Sequence, residues 1–183
     1  PMFSGKTSFL LRRAVWAAHG QQRTIRVFKP AIDRRYADDA VVSHDGVSIA
    51  AEPVMCLPAD LGGIGPVFVD EVHLFGIETG EEGGSGREPA GLAVVAQIRR
   101  LLEAGVDVCC SGLDLDWRGE PWAITAQLLA MADEVVKLHA RCQICGGAAT
   151  KTRKLNPDGR RVEIGGADSY APVCNLHHRA LVG

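Results

Sequence analysis

The sequence has no surplus of positive charge and no long apolar run. Its 20 Lys and Arg stand against 22 Asp and Glu, a net charge of −2 over 183 residues, so nothing global draws it to nucleic acid or to an anionic bilayer. No stretch approaches the roughly 20 apolar residues a membrane-spanning helix needs, and no charged lead with a signal-type apolar segment is visible. A disulfide framework is also lacking: of 6 cysteines, Cys142, Cys145 and Cys174 have metal-ligand spacing, while Cys56, Cys109 and Cys110 sit in apolar surroundings. A cytoplasmic protein with a small partner is the expectation. With 46% hydrophobic residues, the chain can bury the core of one ordinary α/β domain with a small appendage.

Periodicity organises the first 140 residues. Leu10, Leu11, Ala14, Val15 and Ala18 have helical spacing, ended by His19-Gly20. Thr24 to Phe28 reads as a strand, 41–50 as a hairpin turning at Asp45-Gly46, and Val67-Phe68-Val69 as a short buried strand ending in acid. The glycine-rich stretch 76–91 reads as a solvated loop, with a substrate lid as the alternative. Beyond it, 92–103 is a helix, 106–110 a strand, 121–132 a helix and 134–138 a last strand. This alternation predicts an α/β fold, a P-loop parallel sheet with flanking helices. From Arg141 the periodic apolar faces give way to glycines and basic residues, so the domains are read as a nucleotide-binding 1–140 and a zinc-binding 141–183.

Three groups of residues carry chemistry. Ser4-Gly5-Lys6-Thr7 precedes a helix, so loop and helix N–H groups would meet one anion together, with Lys6 on the β- and γ-phosphates of ATP and the Thr7 hydroxyl on Mg²⁺. The alternative is a Ser-Gly turn capping a surface helix. Asp70-Glu71 ends an apolar strand where a P-loop enzyme keeps its acids: one can organise the metal and the other take a proton from an attacking hydroxyl. That base favours a kinase over a hydrolytic switch. Cys142-x2-Cys145 and Cys174-x2-His177 supply four ligands for a closed, structural Zn²⁺; His178 is an adjacent rival, though the two-residue spacing favours His177. Asp33-Arg34-Arg35-Tyr36 and the Trp117–Trp122 segment follow strands, where arginines could meet phosphate and indoles could stack on a base; both also suit surface loops. The basic residues flanking Asn156-Pro157-Asp158-Gly159 read as solvated faces of a hairpin.

Taken together, PMFSGKT, DEVHLF, GLDLDWRGEPW, CQIC with CNLH, and IGGADSY resemble the type II thymidine kinase family over essentially the whole chain. The resemblance implies a homotetramer with a parallel-sheet core, a zinc-held lasso lobe and ATP:thymidine 5′-phosphotransfer. By position, Ser4, Gly5, Lys6, Thr7, Asp33, Arg35, Asp70 and His73 would serve the ATP site, and Glu71 would be the general base. Met2, Leu113, Trp117, Trp122, Arg161, Val162, Glu163, Ile164, Gly165 and Tyr170 would surround the nucleoside. The zinc ligands would be Cys142, Cys145, Cys174 and His177.

Several residues depart from the family pattern. His73 stands for a glutamine, Leu74 for an aromatic and Trp117 for a phenylalanine, and Arg161 and Glu163 fall at aliphatic positions. The 76–91 loop is also longer than usual. These changes cluster at the acceptor, so a kinase for another deoxynucleoside is one alternative. A non-enzymatic zinc-ribbon nucleic-acid binder is the other, prompted by the basic residues of 151–161. The complete Walker pattern needs a glycine and a strand ahead of Pro1, so the native polypeptide is expected to extend N-terminally.

Overall fold

The computed structural model describes residues 1–21, 24–35, 39–43, 46–58, 61, 65–77 and 88–182. Tyr36, Asp45 and positions 78–87 of the predicted loop lie outside them.

Four short strands form a parallel sheet: β1 (Arg26–Pro30), β4 (Glu52–Val54), β5 (Val67–Val69) and β6 (Val108–Cys110), in the order β4-β1-β5-β6. Between β1 and β4 runs an antiparallel pair, β2 (Ala40–Val42) and β3 (Ser48–Ala50). The sheet is covered on both faces, which is why its strands read as continuous apolar runs. Val27 and Phe68, directly opposite in the register, pack with Leu10, Leu11 and Ala14 of helix α1 (Lys6–Gln21). Their neighbours Phe28, Val67 and Val69 point the other way, onto Val94, Val95 and Ile98 of α2 (Glu88–Glu103) and Ile124 of α3 (Ala123–Met131). Helix α2 begins four residues earlier than its apolar pattern does, with Pro89 in the first turn, where a missing N–H costs nothing.

The predicted strand at 134–138 does not form. Glu134–Leu138 is held instead by side-chain ion pairs, Glu134 to Arg13 and Lys137 to Asp114, each at 2.6 Å. Among the described residues its backbone has no ladder partner; it and β6 both line a cleft of about 340 Å³. A strand is defined by a neighbour at ~4.8 Å, and apolar alternation cannot supply one.

The C-terminal part holds two antiparallel pairs, β7 (Ala140–Arg141) with β8 (Ala148–Ala149) and β9 (Lys151–Lys154) with β10 (Tyr170–Val173), followed by α4 (Asn175–Val182). The hairpin expected around Asn156–Gly159 is therefore corrected. Strand β9 pairs with β10, and residues 155–169 form a long excursion, the lasso. Nor is Lys154 solvated: its side chain is 1% exposed, clamped between Asp158 and Glu163. A buried ammonium needs such partners, and both carboxylates come from the lasso.

Candidate active site

The C-terminal ends of β1, β5 and β6 converge with the N-terminus of α1, the crevice where open α/β sheets bind ligands. Gly5 takes φ 77°, a conformation glycine adopts freely, and aims the chain into α1. Ser4 Oγ and Lys6 Nζ each donate to the Pro1 carbonyl at 2.9 Å. A cavity of about 100 Å³ opens in front, lined by Gly5, Lys6, Thr7, Asp33, Arg35, Asp70 and Glu71. Lys29 also lines it, buried at the end of β1; a lysine before a strand-ending proline is the signal that could have found it.

Asp70 is fixed by two hydroxyls: Thr7 Oγ1 donates to Oδ2 at 3.1 Å and Ser111 Oγ donates to Oδ1. Burial, together with the adjacent Glu71 charge, pushes the Asp70 carboxyl up to about 6 against these hydrogen bonds. Glu71 has φ 46° and ψ 41°, a left-handed backbone that costs a non-glycine residue of order 1–3 kcal/mol. Arg35 Nη2 donates to Glu71 Oε1 at 2.7 Å, and Arg35 Nε to Asp33 Oδ1 at 2.7 Å. For Glu71, burial works against ionisation. The neighbouring positive charges outweigh it, His73 where it is protonated, then Arg35 and Lys6, and hold the carboxylate down to about 2.

His73 follows in a 3-10 turn, Val72–Leu74. Burial pushes its imidazole down to about 4, so it is neutral at pH 7. The Leu113 N–H donates to its Nδ1 at 3.2 Å, which places the ring proton on Nε2. Gly112 lets this loop pass so close: a Cβ there would stand 2.9 Å from Val72 Cγ1. His73, expected at the ATP site, lines a second, smaller cavity of about 50 Å³. Met2, Leu113, Trp117, Trp122, Arg161, Val162, Glu163, Ile164, Gly165 and Tyr170 line the same space, so the structure brings all ten expected acceptor residues together. Met2, Arg35 and Glu71 line both cavities, and Glu71 is the one carboxylate they share among the described residues.

Around the lasso, Tyr170 Oη donates to the Glu163 carbonyl at 2.9 Å, and Met2 N donates to Thr152 Oγ1 at 3.0 Å, joining the phosphate loop to β9. At the far end of the lobe the ligand atoms of Cys142, Cys145, Cys174 and His177 lie within 4.8 Å of one another. The Cys174 Sγ to His177 Nδ1 distance is 3.2 Å and Cys145 Sγ to Cys174 Sγ 4.0 Å. Tetrahedral zinc with bonds of about 2.0–2.3 Å would set such edges at roughly 3.5–3.8 Å, so the donor set fits Zn²⁺ with no position left for water. His178 is elsewhere, its Nε2 2.9 Å from the Trp117 carbonyl.

A sequence profile of the thymidine kinase family matches residues 1–178. The chain belongs to the thymidine kinase family. It is 44% identical to the thymidine kinase of Coprothermobacter proteolyticus over 186 aligned residues, covering 97% of this chain and 86% of the relative. It is 38% identical to that of Deinococcus deserti, covering 97% and 90%, and 37% identical to that of Bacteroides thetaiotaomicron, covering 94% and 80%. Thymidine kinases are ATP-dependent phosphotransferases, and the two cavities meeting at Glu71 suit a donor and an acceptor. No helix among the described residues is long and apolar enough to cross a membrane. Asp116 and Ser111 escaped sequence reasoning. For Asp116 a signal existed, since Asp-x-x-Gly marks a turn: its Oδ1 takes the N–H groups of Arg118 and Glu120, each at 2.9 Å.

Proposed function

We propose that the protein transfers the γ-phosphoryl group of ATP to the 5′-hydroxyl of thymidine. The observation that carries this reading is Glu71: a largely buried, ionised carboxylate, its side chain 13% exposed, shared by the cavity at the phosphate loop and the cavity under the lasso. Lys6 and the N–H groups at the start of α1 hold the donor phosphates. Glu71 accepts the proton of the 5′-hydroxyl while the nucleoside's 5′-oxygen bonds the γ-phosphorus and the bond from that phosphorus to the β,γ-bridging oxygen breaks, releasing ADP. Arg35 orients the carboxylate, and the lasso excludes water. Most of the acceleration then comes from positioning and charge.

Thr7 and Asp70 present hard oxygen donors suited to Mg²⁺, which when bound would neutralise charge on the phosphates. The four-ligand cluster holds a structural Zn²⁺ that clamps the lasso lobe. The resemblance implies a homotetramer, and Trp16, 78% accessible on α1, is apolar surface available for contact between subunits. A cytoplasmic setting suits the free thiols. The nucleic-acid reading loses ground because Lys154, Arg160 and Arg161 are committed to carboxylates.

The test is Glu71→Gln, which should cut kcat with thymidine by at least ~10²-fold while leaving ATP affinity within about 2-fold. Unchanged turnover would remove Glu71 from the base role. A nucleoside panel in which thymidine fails and another base works would move the acceptor.

A further inference from the structure

Two stretches far apart in the chain build the acceptor wall, the 112–122 loop and the lasso, and three side chains join them. Trp117 Nε1 donates to the Arg160 carbonyl at 3.1 Å and Arg118 Nη2 to the Gly159 carbonyl, both at the exposed rim; of the three, Arg161 alone reaches a buried carboxylate. Arg161 Nε donates to Asp116 Oδ2, and Arg161 Nη2 donates to the Pro121 carbonyl, both at 2.9 Å. The same guanidinium lies over the Trp122 indole, 4.4 Å from the ring centroid. That indole meets the His73 ring at 5.3 Å, and His73 Nδ1 stands 3.5 Å from Glu71 Oε2. The Asp116 side chain is 2% exposed, with its other oxygen already spent on the turn, so Arg161 is the counter-charge of a buried carboxylate. Only a planar cation with several donors can bond a carboxylate, cap a carbonyl and cover an aromatic face at once.

We propose that Arg161 is a positioning residue that fastens the lasso to the 112–122 loop, holding Trp122 and His73 where the acceptor is gripped. It thereby governs acceptor affinity. The transfer step is held separately, because Asp70 is fixed by Ser111 and Thr7, and Glu71 by Arg35. The proposal rests on the acceptor lying in the cavity between Trp122 and Glu71.

The experiment compares the full chain with Arg161→Leu, Asp116→Asn, the double variant and Arg161→Lys. Each of the first two should raise the thymidine KM about 10-fold, with kcat falling less than 3-fold and the ATP KM unmoved. The double variant should be no worse than the more damaged single one, because both remove the same contact. Lysine should recover part of the loss, since it can reach Asp116 but cannot also cap Pro121 and lie flat on the indole.

In nucleoside-free protein, amide exchange across 159–165 should quicken at least 10-fold in Arg161→Leu. This comparison decides the fastening even if the parent chain turned over no thymidine, an outcome that would refute the activity instead. An unchanged thymidine KM, a loss confined to kcat, additive losses in the double variant or unaltered lasso exchange would each overturn the proposal. Should Arg161→Leu fail to fold, Asp116→Asn and Arg161→Lys keep the site's shape and carry the same test.

Discussion

Asp70→Asn should stabilise the magnesium-free protein while destroying its function. The wild-type carboxylate is buried beside a second, ionised one, and its pKa is raised from the ordinary 3.8 to about 6. A rise of that size corresponds to roughly 3 kcal/mol against the charged form, at 1.36 kcal/mol per pH unit. Part of it is returned when Glu71 relaxes in the variant, so about 2 kcal/mol is the expected gain at pH 8.

The sign follows from linkage: with the folded pKa raised, the contribution of Asp70 to wild-type stability is present below pH 3.8 and lost as pH rises through about 6. The advantage of asparagine should therefore be full above pH 7 and vanish below about pH 4. Asparagine is nearly isosteric, and the Thr7 and Ser111 hydroxyls can rotate to donate or accept, so no hydrogen bond is orphaned. The assay is thermal unfolding at pH 4, 6 and 8 without magnesium but with zinc retained. For a chain of this length the gain should read as about 4–8 °C at pH 8. A difference independent of pH, or a less stable variant at pH 8, would refute the reasoning that this carboxylate is held against its own desolvation. Such a trade of stability for function is common at active sites.

With the proposed Zn²⁺ in the Cys/His cluster, Cys174→Ser should bind less zinc than the parent chain by elemental analysis and melt at a lower temperature, since a lobe this small would lean on its metal; zinc content equal to the parent's would point to another ligand set. Phe28→Ala, at a fully buried ring in a central strand, should cost about 3–5 kcal/mol in urea unfolding. A loss below 1 kcal/mol would mean that Phe28 is not part of the main core.

Local signals in the sequence were sufficient for much of this protein. The phosphate loop, the acid pair and the two metal knuckles are patterns of spacing within a few residues, and the chemistry of each needs just that spacing. The helix over 6–21, the part of the second helix from Leu92 to Glu103 and the buried strand Val67–Val69 just ahead of Asp70 are periodicities, which the backbone enforces locally. Pairing was different. Glu134–Leu138 has the composition of a strand, but whether it becomes one depends on what lies ~4.8 Å away. Strand β9 found its partner 16 residues beyond its end, at Tyr170, rather than across the nearby turn. Likewise a lysine or arginine in a polar stretch looks solvated until the fold brings Glu163 to Lys154 and Asp116 to Arg161. Residue types and their short spacings determined which chemistry the chain could perform. Only the tertiary structure decided which charges are buried, which faces meet and that one carboxylate, Glu71, is shared by two cavities, because desolvation and pairing are set by neighbours distant in sequence.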